Sequence, residues 1–147
     1  MKKILPPTYF FVCLISSIVL DFLFPIKNII PKPFNYLGII FIIFGSVINI
    51  ITDNMFKDKK TTVKPHETPS AFIDHGLFKI SRHPMYLGMF SILLGTSTLL
   101  MSISSFLSPI LFVIAMEKIF IPIEEKNMKK KFGKKYIDYK KRVRKWI

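Results

Sequence analysis

The sequence predicts an all-α integral membrane protein with four transmembrane helices and a basic amphipathic helix after them. Three observations carry that prediction. Long apolar runs cover residues 5–26, 34–51, 86–103 and 106–123. Half of the 147 residues are hydrophobic although 22 are Lys or Arg, so charge and apolar surface are segregated along the chain. No glycine-rich turn of the Gly-x-Gly-x-x-Gly type follows a strand-like stretch, so no βαβ nucleotide-binding unit is expected. At roughly 1.5 Å rise per residue, even the shortest run nearly crosses a hydrocarbon core of about 30 Å. The length suits one domain over residues 1–147.

The first run carries Asp21 toward its end and no small-residue cleavage site before the next polar stretch, so it reads as a retained helix and not a cleaved signal. Cys13 is the only cysteine, which excludes an intrachain disulfide and any paired-cysteine redox or zinc motif. Between the first two runs, Pro25, Pro31 and Pro33 break helical hydrogen bonding and predict a short connector. Gly38 and Gly45 then lie seven residues apart on one face of the second helix, with Ser46 beside them, and predict a close helix approach.

The polar loop 53–85 gathers His66, His75 and His83. Spacings of nine and eight residues with no cysteine do not resemble a zinc-ligand pattern, so no metal is expected. Ser104 and Ser105 separate the last two runs and predict a tight hairpin that returns the chain beside its own start. The tail 124–147 places Met128, Phe132, Tyr136 and Tyr139 on one helical face with lysines on the others. Such a helix is expected to lie on a membrane surface, attracted to anionic lipids.

Charge sets the predicted topology. Lys2, Lys3, six basic residues of loop 53–85 and eleven of the tail fall on one side, against Lys27 and Lys32 on the other. The positive-inside rule puts both termini and the long loop in the cytoplasm, in a multi-pass protein of the cytoplasmic membrane. A net charge of +13 would also suit a nucleic acid, but most of it lies within reach of the membrane surface, so no nucleic-acid partner is expected.

The chemistry concentrates at Arg82-His83-Pro84-Met85-Tyr86, at the foot of the third run, and at Glu124-Glu125, at the exit of the fourth. Ionisable groups at a bilayer boundary cost free energy unless they bind something. Singly, each has a plain structural role: Arg82 as a snorkelling anchor, Tyr86 as an interfacial aromatic, Glu124 and Glu125 as a surface ion-pairing couple.

The ordered set goes further. Gly76-Leu77-Phe78, Ser81-Arg82-His83-Pro84-Met85-Tyr86-Leu87-Gly88, an apolar hairpin, then Glu124-Glu125 through Phe132-Gly133, Tyr136, Tyr139 and Arg142-Val143 resembles the isoprenylcysteine carboxyl methyltransferase family and its phospholipid methyltransferase relatives. The segment Thr61–His66 through Pro69 resembles a small prokaryotic branch of it. The resemblance runs from about Thr61 onward and implies a methyltransferase using S-adenosyl-L-methionine. By that resemblance His83, Pro84, Tyr86, Leu87 and Gly88 line the cofactor, with Glu124 or Glu125 taking its amino group or ribose hydroxyls. Arg82 and Arg142 are the guanidinium groups implied to grip an acceptor carboxylate. Where many members read Arg-Val-Pro, this chain has Arg142-Val143-Arg144.

The expected activity is methylation of a lipid-like or membrane-borne acceptor, of the isoprenylcysteine carboxyl type. The same pocket would permit N-methylation of a phospholipid headgroup, for which His83 or a glutamate would have to act as base. From other classes come a non-catalytic membrane adaptor using the polybasic tail and, from Asp21 and Glu117 within apolar runs, a small transporter.

Overall fold

The computed structural model describes residues 5–26, 29–62 and 64–147; Lys2, Lys3, Lys27 and Val63, used in the sequence analysis, lie outside the described residues. Four apolar helical segments form: α1 (Pro6–Leu23), α2 (Leu37–Asp58), α3 (Pro84–Leu100) and α4 (Leu107–Ala115). α4 runs through a π-helical turn, Met116–Phe120, into α5 (Ile121–Arg142). Three helical stretches, Pro6–Leu23, Phe34–Asp58 and Ile103–Arg142, are long and apolar enough to cross a membrane, while α3 is apolar and 17 residues long. The last stretch is apolar, apart from Glu117 and Lys118, as far as Ile123, after which Glu124 opens its highly charged part.

α3 is the central helix. It packs on α2 along one side and on α1 and α4 along the other. Its buried residues are mostly small or polar, including Gly88, Ser91, Gly95, Ser97 and Thr98. The outward faces of α1 and α2 expose Phe11, Ile15, Phe22, Ile40, Phe44 and Ile50. Such surface suits lipid, which is as apolar as these side chains.

The predicted close approach at Gly38 and Gly45 is present, and the structure supplies its partners. A Cβ on Gly38 would strike the carbonyl oxygen of Gly95, and one on Gly45 that of Gly88. Two glycine pairs thus let antiparallel α2 and α3 touch backbone to backbone. The predicted pairing of the last two runs is therefore only half of the arrangement: α3 turns back into α4, but its longest seam is with α2. The missing cue was that glycines on two different helices share the same seven-residue spacing.

Between α3 and α4 the chain makes a 3-10 turn, Ile103–Phe106, preceded by Met101 at φ 68°. The predicted serine turn is clasped to α1. Ser17 Oγ and Ser97 Oγ both donate to the Ser105 carbonyl, at 3.1 and 2.8 Å, and Ser104 Oγ donates to the Phe24 carbonyl at 2.7 Å.

The tail departs from expectation. α5 runs on directly from the fourth span through Phe132 and is broken at Gly133 (φ 49°, ψ −123°), after which a second helical piece leads to Arg142. Its apolar stripe is covered by the chain itself: Tyr136, Tyr139 and Val143 are buried with Ile73 and Phe78, and Met128 and Phe132 pack alongside. Phe72 stacks edge-on to Tyr139 at 5.4 Å between centroids. Loop residues Phe72, Ile73 and Phe78 thus do for this stripe what a membrane is expected to do. Reading the helix alone could not reveal that its partner was an aromatic-bearing loop.

Candidate functional site

Local structure brings the two sequence motifs together. Pro84 can occupy the first turn of α3, where a backbone N–H has no helical partner. The residues before it, Ser81–His83, therefore form a turn at the base of the bundle. On α5, Glu124 and Glu125 are successive and diverge by about 100° around the helix, so they meet different partners.

Glu124 faces His83 and Tyr86. His83 Nδ1 lies 3.0 Å from its Oε2, and Tyr86 OH donates to its Oε1. The two rings are parallel within 10° at 5.7 Å between centroids, so they form a stack that holds one carboxylate between two polar tips. Glu125 faces Arg82 and Lys140 instead. Arg82 Nη2 donates to Glu125 Oε1 at 2.6 Å, and Lys140 Nζ to Oε2 at 2.5 Å. The Arg82 and Glu125 side chains are only 7% and 14% exposed, so removing either leaves the other charge without its compensation.

Electrostatics follow from this packing. Burial of His83 opposes its charge, but hydrogen bonding to Glu124 and then the neighbouring Glu125 outweighs burial and raises its pKa above the ordinary 6.5. Burial of Glu125 pushes its pKa up, yet His83, Lys140 and Arg82 together hold it well below the ordinary 4.5. Two buried nitrogens, Arg82 Nε and His83 Nε2, find no hydrogen-bond partner among the described residues.

Arg82, His83, Tyr86 and Glu124 form one wall of a cavity of about 170 Å³ at the basic end of the bundle. The start of α1 (Pro6, Pro7) and the end of α2 (Thr52, Phe56) make a second wall, and Tyr136 and Tyr139 of α5 a third. Loop residues Thr62, Lys64, Pro65, Glu67, Pro69 and Ala71 line it as well. Thr62 and Lys64 both donate to Glu67, at 2.7 and 2.8 Å, and Asn127 Nδ2 donates to the Pro65 carbonyl at 2.9 Å. A mostly apolar pocket with a few convergent polar groups has the character of a small-molecule site.

The predicted residues separate into two groups. Arg82, His83, Pro84, Tyr86 and Glu124 line the cavity. Leu87, Gly88, Glu125 and Arg142 do not: Gly88 is spent in the α2–α3 seam against Gly45 and Asn49, Glu125 is occupied by Arg82 and Lys140, and Arg142 is exposed on α5. The structure thus distinguishes the two glutamates, with Glu124 facing the cavity. Asn127 was not singled out, although its place three residues after Glu124 puts it on the same helical face. Thr52 and the prolines of α1 carried no comparable cue.

Residues 34–135 match the family model described as phospholipid methyltransferase, so the match takes in α2 as well as the motif-bearing region. Among similar proteins, protein-S-isoprenylcysteine O-methyltransferase of Saccharomyces cerevisiae is 31% identical over 89% of this chain and 56% of its own length. Protein-S-isoprenylcysteine O-methyltransferase B of Arabidopsis thaliana is 30% identical over 72% of this chain and 55% of its own. The chain therefore spans little more than half the length of these relatives. The solved structure of a eukaryotic intramembrane Ras methyltransferase, isoprenylcysteine carboxyl methyltransferase, shares the fold with a TM-score of 0.69 at 23% identity, covering 96% of this chain and 51% of that one. The chain belongs to the phospholipid methyltransferase family, with isoprenylcysteine O-methyltransferases among its relatives.

Proposed function

We propose that the protein is a membrane methyltransferase that takes S-adenosyl-L-methionine into the cavity at its basic end and methylates a carboxylate on a lipid-like or membrane-borne acceptor. The observation that carries this reading is Glu124, a carboxylate facing an otherwise largely apolar, aromatic-walled cavity and oriented by His83 and Tyr86. The donor set fits the cofactor: Glu124 is an acceptor for its amino group or ribose hydroxyls, and aromatic faces such as Tyr136 and Tyr139 suit a cationic centre. When bound, the cofactor supplies an electrophilic methyl group on a sulfonium.

The chain's own residues place and shelter the reactants. His83 and Tyr86 fix Glu124, while the loop clipped to Asn127 limits entry of water. Arg82 is the predicted guanidinium that lines the cavity, and it engages an acceptor carboxylate by yielding part of its contact with Glu125. Such an acceptor is already a nucleophile and needs no base. The basic end faces the cytoplasm, and the exposed lysines of α5 meet anionic lipid headgroups.

Calorimetry in detergent tests the cofactor: the folded protein should bind S-adenosyl-L-methionine, and Glu124→Ala should weaken binding at least tenfold. Absence of binding by the folded protein would end the proposal. Lipid profiling with methyl-labelled cofactor tests the acceptor. A base-labile methyl ester supports carboxyl methylation, whereas mono- or dimethylated amine headgroups transfer the assignment to N-methylation.

A further inference from the structure

Glu117 lies in the last apolar run and takes no part in the chemistry proposed above. It sits in the π-helical turn Met116–Phe120 and accepts two hydrogen bonds from the segment that follows α5: Trp146 Nε1–H at 2.7 Å and Lys145 Nζ at 2.9 Å. The Glu117 and Lys145 side chains are 32% and 36% exposed, and an ion pair that open contributes little stability by itself. A carboxylate kept in an apolar run against its solvation cost calls for another account. π-helical turns themselves often occur at functional positions.

The segment that Glu117 holds also holds the site. Arg82 N donates to the Arg144 carbonyl at 3.1 Å and Ser81 Oγ to the Lys145 carbonyl at 3.2 Å. Arg82 Nη1 donates to the Val143 carbonyl at 2.8 Å. The Trp146 ring packs on the core cluster that contains Tyr86 and Met116. One continuous path of contacts therefore runs from Glu117 through Lys145 and Trp146 to Ser81 and Arg82. From there the chain enters the turn that presents His83 to Glu124.

We propose that Glu117 is a positioning residue: by gripping Lys145 and Trp146 it latches the segment Val143–Trp146 against Ser81–Arg82, and so fixes the turn that aims Arg82 and His83 at the two glutamates. The consequence for function rests on the reading of the cavity as a methyl-donor site. The latch itself is a statement about contacts and can be tested apart from that reading.

Trp146 is the only tryptophan, so its fluorescence reports on the latch directly. In detergent, Glu117→Ala should red-shift Trp146 emission and raise its quenching by acrylamide. Amide hydrogen exchange across Ser81–Tyr86 should rise at least tenfold while exchange in the α2–α3 seam stays unchanged. The Kd for S-adenosyl-L-methionine should rise at least tenfold, with a smaller change in turnover at saturating cofactor. Glu117→Gln keeps an acceptor for Trp146 and should recover at least half of the exchange protection. Trp146→Phe keeps an aromatic ring, loses the N–H donor and should reproduce the local exchange increase, which guards against a folding failure of the alanine variant.

Release of Trp146 without faster exchange at Ser81–Tyr86, or equal acceleration throughout the helices, would overturn the latch. If the unsubstituted protein binds no S-adenosyl-L-methionine, the methyl-donor reading falls, and fluorescence and exchange still decide the latch.

Discussion

The α2–α3 seam and the α3–α5 joint lie at opposite ends of one design choice. In the seam, Gly38 and Gly45 meet Gly95 and Gly88, and the contact is made by backbone. In the joint, Arg82, His83 and Tyr86 meet Glu124 and Glu125, and the contact is made by side chains carrying charge. Backbone contact leaves no room for adjustment, so the seam serves as a rigid support inside the bilayer. Side-chain contact can exchange partners, which is what the proposed ligand site at the joint requires. Stiffness and chemistry are separated along the same helix, α3, which contributes to both.

The largest effect should come from breaking the seam. In Gly45→Leu the new Cβ falls on the Gly88 carbonyl oxygen and close to the Ile92 side chain and backbone, so the helices must part. We expect a loss of more than about 3 kcal/mol, read as a collapse of folded yield and melting temperature in detergent. Next comes Arg82→Ala in the joint, which leaves Glu125 with Lys140 and the neighbouring His83 and should therefore cost less than the about 3–5 kcal/mol of a buried charge left wholly unpaired. A double-mutant cycle with Glu125→Gln should return a coupling of about 0.5–3 kcal/mol. Additive effects there would mean that the joint is not a coupled unit.

Gly133→Ala sharpens the comparison, because nothing lies within 4 Å of its added Cβ and the only obstacle is φ +49°. Backbone strain alone should cost about 1–3 kcal/mol, less than the seam variant, as measured by thermal melting. Smallest should be Lys130→Ala on exposed α5, within about 0.5 kcal/mol.

Acidity should separate the two regions without any substitution. His83 has a raised pKa in the folded protein, so its stabilising contribution is complete below the ordinary 6.5 and is lost as pH rises through the raised value. Glu125 has a depressed pKa, so its contribution is complete above the ordinary 4.5 and is lost as pH falls toward the depressed value. Protection from hydrogen exchange at Ser81–Tyr86, taken relative to the intrinsic rate at each pH, should therefore be greatest between these limits. Protection in the α2–α3 seam, which is built on backbone, should change far less over the same range.

Much of this was legible in the residues. Apolar runs long enough for a bilayer, segregated lysines and the paired glycines of α2 announce a helical membrane bundle, because hydrocarbon requires every backbone polar group to be satisfied within a helix. The ordered motifs, Arg82 through Tyr86 and Glu124-Glu125, mark where ionisable side chains come together. Less legible were Arg142 and Gly88, which match the motif by order yet point away from the cavity or into the seam. Motif order says which residues recur together and cannot say which face of a helix each one presents.

Sequence alone determined the class of fold, the separation of charge from apolar surface and the two segments that carry the ionisable groups, since these follow from composition and periodicity along one chain. Only the tertiary structure decided that Glu124 and not Glu125 faces the cavity, that the stripe of α5 is covered by Phe72 and Phe78 instead of lipid, and that Glu117 reaches Trp146. The reason is physical: each depends on which surfaces from distant parts of the chain come within a few ångströms, and short-range patterning does not encode distance across a bundle.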